Sequence, residues 1–312
     1  MPALPCPVEL ASTRDIPVMP LDAVALVLLS AVFHATWNFL LKRSGGTQEV
    51  VALSKLAEVI VLAPVFLVGF ATGLPSPGES AWWAGVAALG VALTYIALAR
   101  AYRHGDLSFV YPIARGSILV FLPVAGWIAL GEHLSVLGAA GLAAIVAGII
   151  TLNLDGFDRA ALRRVATVLR GKATVFAVLA GLTSAVFTIW DKRAIGRMAP
   201  FAYMYLYTLI VAIGFGLWLK ARVAPDVVRQ TWRRHWPSIV LIGLLNTASY
   251  LLILFALRTG VTSYVLGMRQ VSIAGGVALG WWFLQEQMTR GRMVGVGLIL
   301  TGCLTLSVAA VG

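Results

Sequence analysis

The chain carries one sequence pattern twice, at positions 154 residues apart. The segment Ser-Ala-Val-Phe occupies residues 30–33 and again residues 184–187. Because this spacing is about half of the 312 residues, the pattern predicts two related structural units. Further identities at the same spacing pair Arg115 with Arg269, Gly126 with Gly280, Trp127 with Trp281, Leu130 with Leu284, Glu132 with Glu286, Gly141 with Gly295, Gly148 with Gly302, Thr151 with Thr305 and Leu152 with Leu306.

The composition indicates an integral membrane protein. Sixty per cent of the residues are hydrophobic and twelve per cent are charged, whereas about a quarter of the residues of soluble proteins are charged. The net charge of +11 comes from basic residues in short connections between apolar stretches. Membrane topology explains that charge better than nucleic-acid binding does, and we predict no nucleic-acid partner. A duplicated apolar unit is typical of transporters built from two repeats.

Ten apolar stretches are long enough to cross the roughly 30 Å of bilayer hydrocarbon. Backbone polar groups cannot stay unpaired in lipid, and no strand-like alternation is present, so the stretches are predicted to be helices. The predicted class is an all-α membrane protein with ten transmembrane helices in two five-helix repeats. Their approximate limits are 22–41, 48–70, 80–102, 108–130, 135–154, 173–195, 199–219, 237–257, 261–285 and 290–311.

Five helices per repeat require the two repeats to be inverted across the membrane plane, since an odd number of crossings ends on the opposite side. The predicted organisation is a disordered extension (1–20), a first repeat (21–154), a basic connecting loop (155–172) and a second repeat (173–312). The extension lacks the apolar core of a signal peptide. Most Lys and Arg lie in the loops before the even-numbered helices, so the positive-inside rule places those loops in the cytoplasm and both termini outside.

Arg115 and Arg269 lie inside apolar spans, where a lone charge costs at least ~3 kcal/mol. They are expected to face a watery cavity or to have partners. One interpretation is a clamp for an anion or a carboxylate, because guanidinium offers a planar fork of donors. The other is that each Arg binds carbonyl groups at helix ends and holds the repeats together. Both interpretations stay open at this stage.

Structural roles are favoured for two further groups of charged residues and for the small residues of two helices. Glu132 and Glu286 are expected in the short turn before the next helix, where a carboxylate complements the helix dipole. Lys55 and Glu58 are three residues apart on the second helix and are expected to neutralise each other, with proton relay as the less favoured alternative. The small residues of the fifth and tenth helices are expected to allow close helix packing.

The first helix places His34, Trp37 and Asn38 on one face, which is expected to point inward because its polar groups lack partners in lipid. An aromatic ring beside hydrogen-bonding groups suits a cavity for small amphipathic solutes. His34 could also titrate, although a hydrogen-bonded structural role is favoured. The full set of predicted cavity-lining residues is His34, Trp37, Asn38, Tyr95, Tyr111, Arg115, Trp190, Asn246, Tyr250 and Arg269.

Several motifs are missing from the sequence. It contains no GxxxxGK[ST] motif for an ATP-driven engine and no HExxH, CxxC or paired-carboxylate array. We therefore predict no cofactor, no metal and no catalytic residues. A membrane-embedded enzyme acting on a lipid-linked substrate is the less favoured alternative, and only Asp191, Glu132 and Glu286 are placed to serve it.

The sequence resembles the drug/metabolite transporter superfamily, and within it a ten-helix transporter of the EamA type. The resemblance rests on His34-Ala-Thr-Trp-Asn38 with Lys42-Arg43, on residues 101–108 (Ala-Tyr-Arg-His-Gly-Asp-Leu-Ser), on residues 111–116 (Tyr-Pro-Ile-Ala-Arg-Gly), and on Gly131-Glu132 before a glycine-rich helix. It covers nearly all of residues 21–307 and implies alternating access to a central cavity between inverted repeats. Many members have basic loops after helices two and four; here those loops hold no Lys or Arg.

The resulting prediction is a multi-pass transporter of the inner (plasma) membrane. It is expected to export small metabolites such as amino acids or related amphipathic solutes, and to be a monomer rather than a homodimer. The motifs that carry the resemblance are specific for the superfamily but do not indicate the substrate. A flippase for lipids or lipid-linked sugars on the same scaffold is the main alternative.

Overall fold

The computed structural model of the protein describes residues 19–71, 77–105, 107–152, 154 and 171–311, which fold entirely into helices and their connections. Most of the predicted extension and of the connecting loop lies outside the described residues. Met19, at the end of the extension, is buried, and its N–H donates to the Ala310 carbonyl at 2.6 Å. The helices are α1 (Leu21–Arg43), α2 (Gln48–Ala71), α3 (Pro77–His104), α4 (Leu107–Leu130), α5 (Val136–Thr151), α6 (Lys172–Ile195), α7 (Pro200–Arg222), α8 (Pro225–Thr259), α9 (Thr262–Met268), α10 (Val271–Leu284) and α11 (Arg290–Val311).

The predicted all-α class and the positions of the ten apolar spans are confirmed, with two differences. Eight of the described helices are long and apolar enough to cross a membrane, and α5 is a shorter apolar helix. The ninth span is not one helix, because α9 ends at Met268 and α10 begins at Val271. The eighth helix begins at Pro225 instead of residue 237, since proline suits the first turn of a helix. Hydropathy misses this extension because its residues are largely polar.

The two repeats pack mainly against each other. The first helix of each repeat packs on the third helix of the other repeat: α1 packs on α8, and α6 packs on α3. The second helices of the repeats, α2 and α7, contact each other, as do the fifth, α5 and α11. A contact pattern that survives exchange of the repeats indicates a two-fold relationship between them.

Four glycines show that the equivalent helices α5 and α11 run antiparallel. A Cβ atom on Gly148 would lie 2.7 Å from the carbonyl oxygen of Gly295, and one on Gly302 would lie 2.6 Å from that of Gly141. Gly141 is the repeat equivalent of Gly295, and Gly148 is that of Gly302. The contacts are not between equivalent residues: Gly141 meets Gly302, and Gly148 meets Gly295. This crosswise pairing is the geometry of inverted repeats, and it confirms the expected close packing.

The recurring Gly and Glu residues build the same turn in both repeats. The Glu132 N–H donates to the Gly126 carbonyl at 3.2 Å, and the Glu286 N–H donates to the Gly280 carbonyl at 3.2 Å. A Cβ atom on Gly126 would lie 2.9 Å from the Glu132 carboxylate, and one on Gly280 would lie 3.2 Å from that of Glu286. The glycines recur because the glutamate side chain needs the space beside them.

Glu132 and Glu286 lie in the turns before α5 and α11, as expected, but neither glutamate caps the helix that follows. Ser135 caps α5 by accepting from the Gly138 N–H at 3.0 Å. Its repeat equivalent, Thr289, accepts from the Arg292 N–H at 3.2 Å at the start of α11. A hydroxyl at the N-cap leaves the glutamates free to bind elsewhere.

Glu132 and Glu286 form ion pairs at opposite ends of the molecule. Glu132 binds Lys192, at the end of α6, with 2.6 Å between Oε1 and Nζ. Glu286 binds Lys42, at the end of α1, and Arg292 of α11, the latter at 3.1 Å. The loops before α2 and α11 therefore lie at one end, and the loops before α5 and α7 lie at the other.

Candidate functional site

The ninth span is interrupted at Arg269. After this residue two backbone N–H groups bond to the carbonyl three residues earlier, instead of four as in an α-helix. The Ser272 N–H donates to the Arg269 carbonyl at 3.1 Å, and the Ile273 N–H donates to the Gln270 carbonyl at 2.9 Å. The Gln270 N–H donates to the Gly267 carbonyl. The Leu266 carbonyl, four residues before Gln270, accepts from the Gln270 side-chain amide instead, at 3.0 Å. A short stretch of such turns within a helix often marks a hinge.

Arg269 joins three helices through neutral groups. Its Nη2 donates to Nδ1 of His34 on α1 at 3.1 Å and to Oγ of Ser249 on α8 at 3.4 Å. The guanidinium carbon lies 5.6 Å from the centre of the Tyr250 ring. Among the buried side-chain atoms of the described residues, Arg269 Nε has no hydrogen-bond partner.

His34 accepts hydrogen bonds at Nδ1. Both Arg269 Nη2 and Trp37 Nε1, the latter at 3.3 Å, approach this nitrogen, and each of these groups can only donate. The ring proton of His34 therefore lies on Nε2. The Asn38 side-chain amide donates to the His34 carbonyl at 2.7 Å, within the same helix. The predicted inward face is thus one connected set of polar groups, with His34 8% exposed.

Arg115 lies on α4 beside a cavity of about 230 Å³. Its Nε donates to the Tyr111 hydroxyl at 3.2 Å, and its guanidinium lies 5.3 Å from the centre of that ring. Arg115 and Arg269 are close enough to repel each other electrostatically. The cavity lies among α3, α4 and α6, and its walls include Thr94, Tyr95, Tyr111, Arg115, Ser184 and Phe187.

A buried carboxylate outside the predicted cavity lining contacts Tyr250. Asp191 on α6 is completely buried, and Oδ1 accepts from the Tyr203 hydroxyl at 2.5 Å. Oδ2 accepts from the Tyr250 hydroxyl. Tyr250 thus contacts Asp191 through its hydroxyl and Arg269 through its ring. An acidic residue within an apolar helix was the available sequence signal, and its tyrosine partners come from two other helices.

The other predicted site residues fall into different surroundings. Tyr95 lines the cavity and is 46% exposed. Trp190 packs against Trp83, with ring centres 4.4 Å apart, and its Nε1 donates to the Trp83 carbonyl at 3.0 Å. Asn246 is half-buried on α8, one turn before Tyr250. The structure therefore joins His34, Trp37, Asn38, Tyr250 and Arg269 in one network.

The acidic groups considered for an enzyme are occupied by other side chains. Asp191 binds two tyrosines, and Glu132 and Glu286 bind basic residues. Lys55 and Glu58 form the expected pair, with 2.8 Å between Nζ and Oε2.

Comparison with known proteins identifies the family pattern over most of the chain. The model of the EamA-like transporter family matches residues 21–154 and 171–308. No curated protein matches the chain significantly. One crystal structure, described only as that of a protein, has 15% sequence identity and a TM-score of 0.69, and the match covers 93% of this chain and 97% of the other. At this identity the likeness shows the fold.

Proposed function

The chain belongs to the EamA-like transporter family, within the drug/metabolite transporter superfamily, and from this premise we propose that it exports small metabolites by alternating access. The solutes would include amino acids or related amphipathic compounds. The protein would act as a monomer in the inner (plasma) membrane, with the cavity beside Arg115 as part of the solute path.

The observation that carries the proposal is the position of the two repeat-equivalent arginines. Arg115 lines the cavity on the first repeat, and Arg269 lies at the helix break of the second. A solute held by both would contact both repeats at once. Because inverted repeats can exchange conformations about a central site, such contacts suit alternating access.

The lining of the cavity suits small solutes with an apolar part. Phe187, Val91 and Ile118 supply apolar surface, whereas Thr94 and Ser184 supply hydroxyl groups. A mostly apolar wall with a few polar groups is typical of sites for small molecules. A volume of about 230 Å³ favours metabolites over the headgroup and chains of a complete lipid.

The test is solute counterflow in proteoliposomes. Vesicles with the purified protein and preloaded with a candidate solute should accumulate the labelled solute faster than vesicles without protein. Arg115→Ala should slow this uptake by about tenfold or more, as expected for the loss of a charged contact to the solute. Arg103→Ala, at the exposed end of α3, is the matched control and should leave uptake unchanged.

Two outcomes would contradict the proposal. One is that no small metabolite, amino acids included, moves faster than through empty vesicles. The other is that labelled phospholipid, and not a metabolite, crosses the bilayer faster, which would identify a flippase.

A further inference from the structure

We infer that the transported solute is a small organic anion, bound between the guanidinium groups of Arg115 and Arg269. This inference rests on the proposed transport function and adds the charge class of the solute. It starts from the partners of the two arginines.

Neither arginine has a carboxylate partner among the described residues. The four ion pairs in that part of the chain use Lys42, Lys55, Lys192 and Arg292. Arg115 instead binds the hydroxyl of Tyr111. Arg269 binds His34 and Ser249, as described above. Each guanidinium therefore keeps its positive charge without a neutralising group.

The two buried acidic side chains of the described residues have other partners. Both oxygens of Asp191 accept from tyrosine hydroxyls, and its side chain is completely buried. Glu58 is 2% exposed and pairs with Lys55. The hydroxyl donors leave the charge of Asp191 in place, but no ion pair or hydrogen bond joins Asp191 or Glu58 to either guanidinium in the described part of the chain.

Two like charges inside a bilayer have a clear energetic consequence. Each costs at least ~3 kcal/mol at the membrane centre, and their mutual repulsion adds to that cost. An anion between them removes both penalties. Guanidinium binds carboxylate or phosphate oxygens with two parallel hydrogen bonds, and Nε of Arg269 is a buried donor that lacks a partner.

The same charges disfavour solutes with an ammonium group. An ammonium needs an acceptor of negative charge, and the buried carboxylates Asp191 and Glu58 have other partners. An amino acid with a neutral side chain brings one carboxylate and one ammonium, so it gains from the arginines and loses at the ammonium. A dicarboxylate or a phosphate ester gains without that loss.

The experiment compares solutes of similar size and different charge. Counterflow is measured in proteoliposomes with labelled succinate, glycerol 3-phosphate, glutamate, glutamine and lysine at neutral pH. We expect the anions succinate or glycerol 3-phosphate to move fastest, glutamate to exceed glutamine, and lysine to move at least about tenfold more slowly than the best anion, a ratio that corresponds to about 1.4 kcal/mol. The two anions distinguish a carboxylate site from a phosphate site.

Variants assign the preference to the arginines. Arg115→Gln and Arg269→Gln should each reduce anion uptake by about tenfold and narrow the difference between glutamate and glutamine. Arg115→Lys and Arg269→Lys should retain part of the preference, since the charge remains. Arg103→Gln is the matched control. Elution as a single species and an unchanged unfolding temperature without solute show that a variant has folded.

A binding measurement separates failure of this inference from failure of transport. Succinate or glycerol 3-phosphate should raise the unfolding temperature of the purified wild-type protein and should not raise that of the Gln variants. Anion binding without any counterflow would contradict the transport proposal and leave the anion site standing. Faster uptake of glutamine or lysine than of every anion, unchanged by Arg115→Gln, would overturn the inference while transport stands.

Discussion

The carboxylate of Glu132 caps α9 at Thr262, which belongs to the other repeat. Its Oε2 accepts from the Thr262 N–H at 2.9 Å, and its Oε1 accepts from the Thr262 hydroxyl at 2.6 Å. The same carboxylate pairs with Lys192, which also donates to the Gly260 carbonyl at 2.7 Å. One turn of the first repeat thus fixes the start of the span that is interrupted at Arg269.

Replacement of Glu132 should therefore destabilise the protein more than replacement of its repeat equivalent. Glu132→Gln loses a largely buried ion pair and one of the two acceptor oxygens that bind Thr262, and it should lower the free energy of unfolding by about 1–2 kcal/mol. Glu286→Gln should cost less, because the Lys42 side chain is 63% exposed and such pairs contribute less than about 1 kcal/mol. Thermal unfolding in detergent measures both. Equal losses in the two variants would contradict the assigned role of Glu132.

The pair of Glu286 with Lys42 predicts a modest pH dependence of stability. The Lys42 ammonium donates a hydrogen bond to Glu286 and, with Arg292, holds the pKa of that carboxylate below its usual range. The stabilisation is present above the pKa of the unfolded chain and is lost as the pH falls through the lower pKa of the folded protein. Unfolding temperatures recorded from neutral to acidic pH should fall less steeply for Lys42→Met than for the wild type. Indistinguishable slopes would show that the pair does not contribute.

Helix α11 contains glycines in tight and in open surroundings, which gives an internal control for packing. Gly295→Ala would place Cβ 2.8 Å from the Gly148 carbonyl oxygen, whereas a Cβ on Gly297 meets no atom within 4 Å. The first change should destabilise the protein by about 1–3 kcal/mol through overpacking. Gly297→Ala should be neutral, or stabilising by up to about 1 kcal/mol, because alanine is the better helix former. Unfolding temperatures of the two variants test this order, and the reverse order would contradict the close α5–α11 contact.

The turns after α4 and α10 share a left-handed residue but differ in its identity. Gly131 has a φ of 67°, and its equivalent Gln285 has a φ of 54°. Because a left-handed conformation costs a side-chain-bearing residue about 1–2 kcal/mol, Gln285→Gly should stabilise the protein and Gly131→Gln should destabilise it, each by about 1 kcal/mol. A reciprocal pair measured by thermal unfolding checks the shared geometry. Destabilisation by both changes would mean that the Gln285 side chain, which donates to the Trp282 carbonyl at 3.1 Å, contributes more than the strain costs.

The sequence predicted the framework better than the contacts across it. Hydropathy and the 154-residue spacing are local or periodic signals, so the spans, the duplication and the packing role of Gly148 could be derived from them. The cap of Glu132 on Thr262 could not, because the two residues are 130 positions apart in sequence and only the fold brings them together. Glu132 does not cap α5, because Ser135 occupies the N-cap position of that helix.

The site shows the same division. His34, Trp37 and Asn38 share one helix face, and helical spacing alone predicted that shared face. The break at Arg269 had no clear signal, because residues 261–285 read as one apolar span. Asp191 was visible as an acid in an apolar helix, but its role depends on Tyr203 and Tyr250, which come from α7 and α8.

The central claim is that solutes cross through the cavity between the inverted repeats, and accessibility of Ser184 tests it most directly. Ser184 lines the cavity, and nearby Val186 on α6 is 57% exposed outside it. In a protein whose Cys6 and Cys303 are replaced by alanine, Ser184→Cys should react with a membrane-impermeant maleimide from either side. Added solute should change the two rates in opposite directions, whereas Val186→Cys should show no such response. Labelling of Ser184→Cys from one side alone, with and without solute, would contradict alternating access.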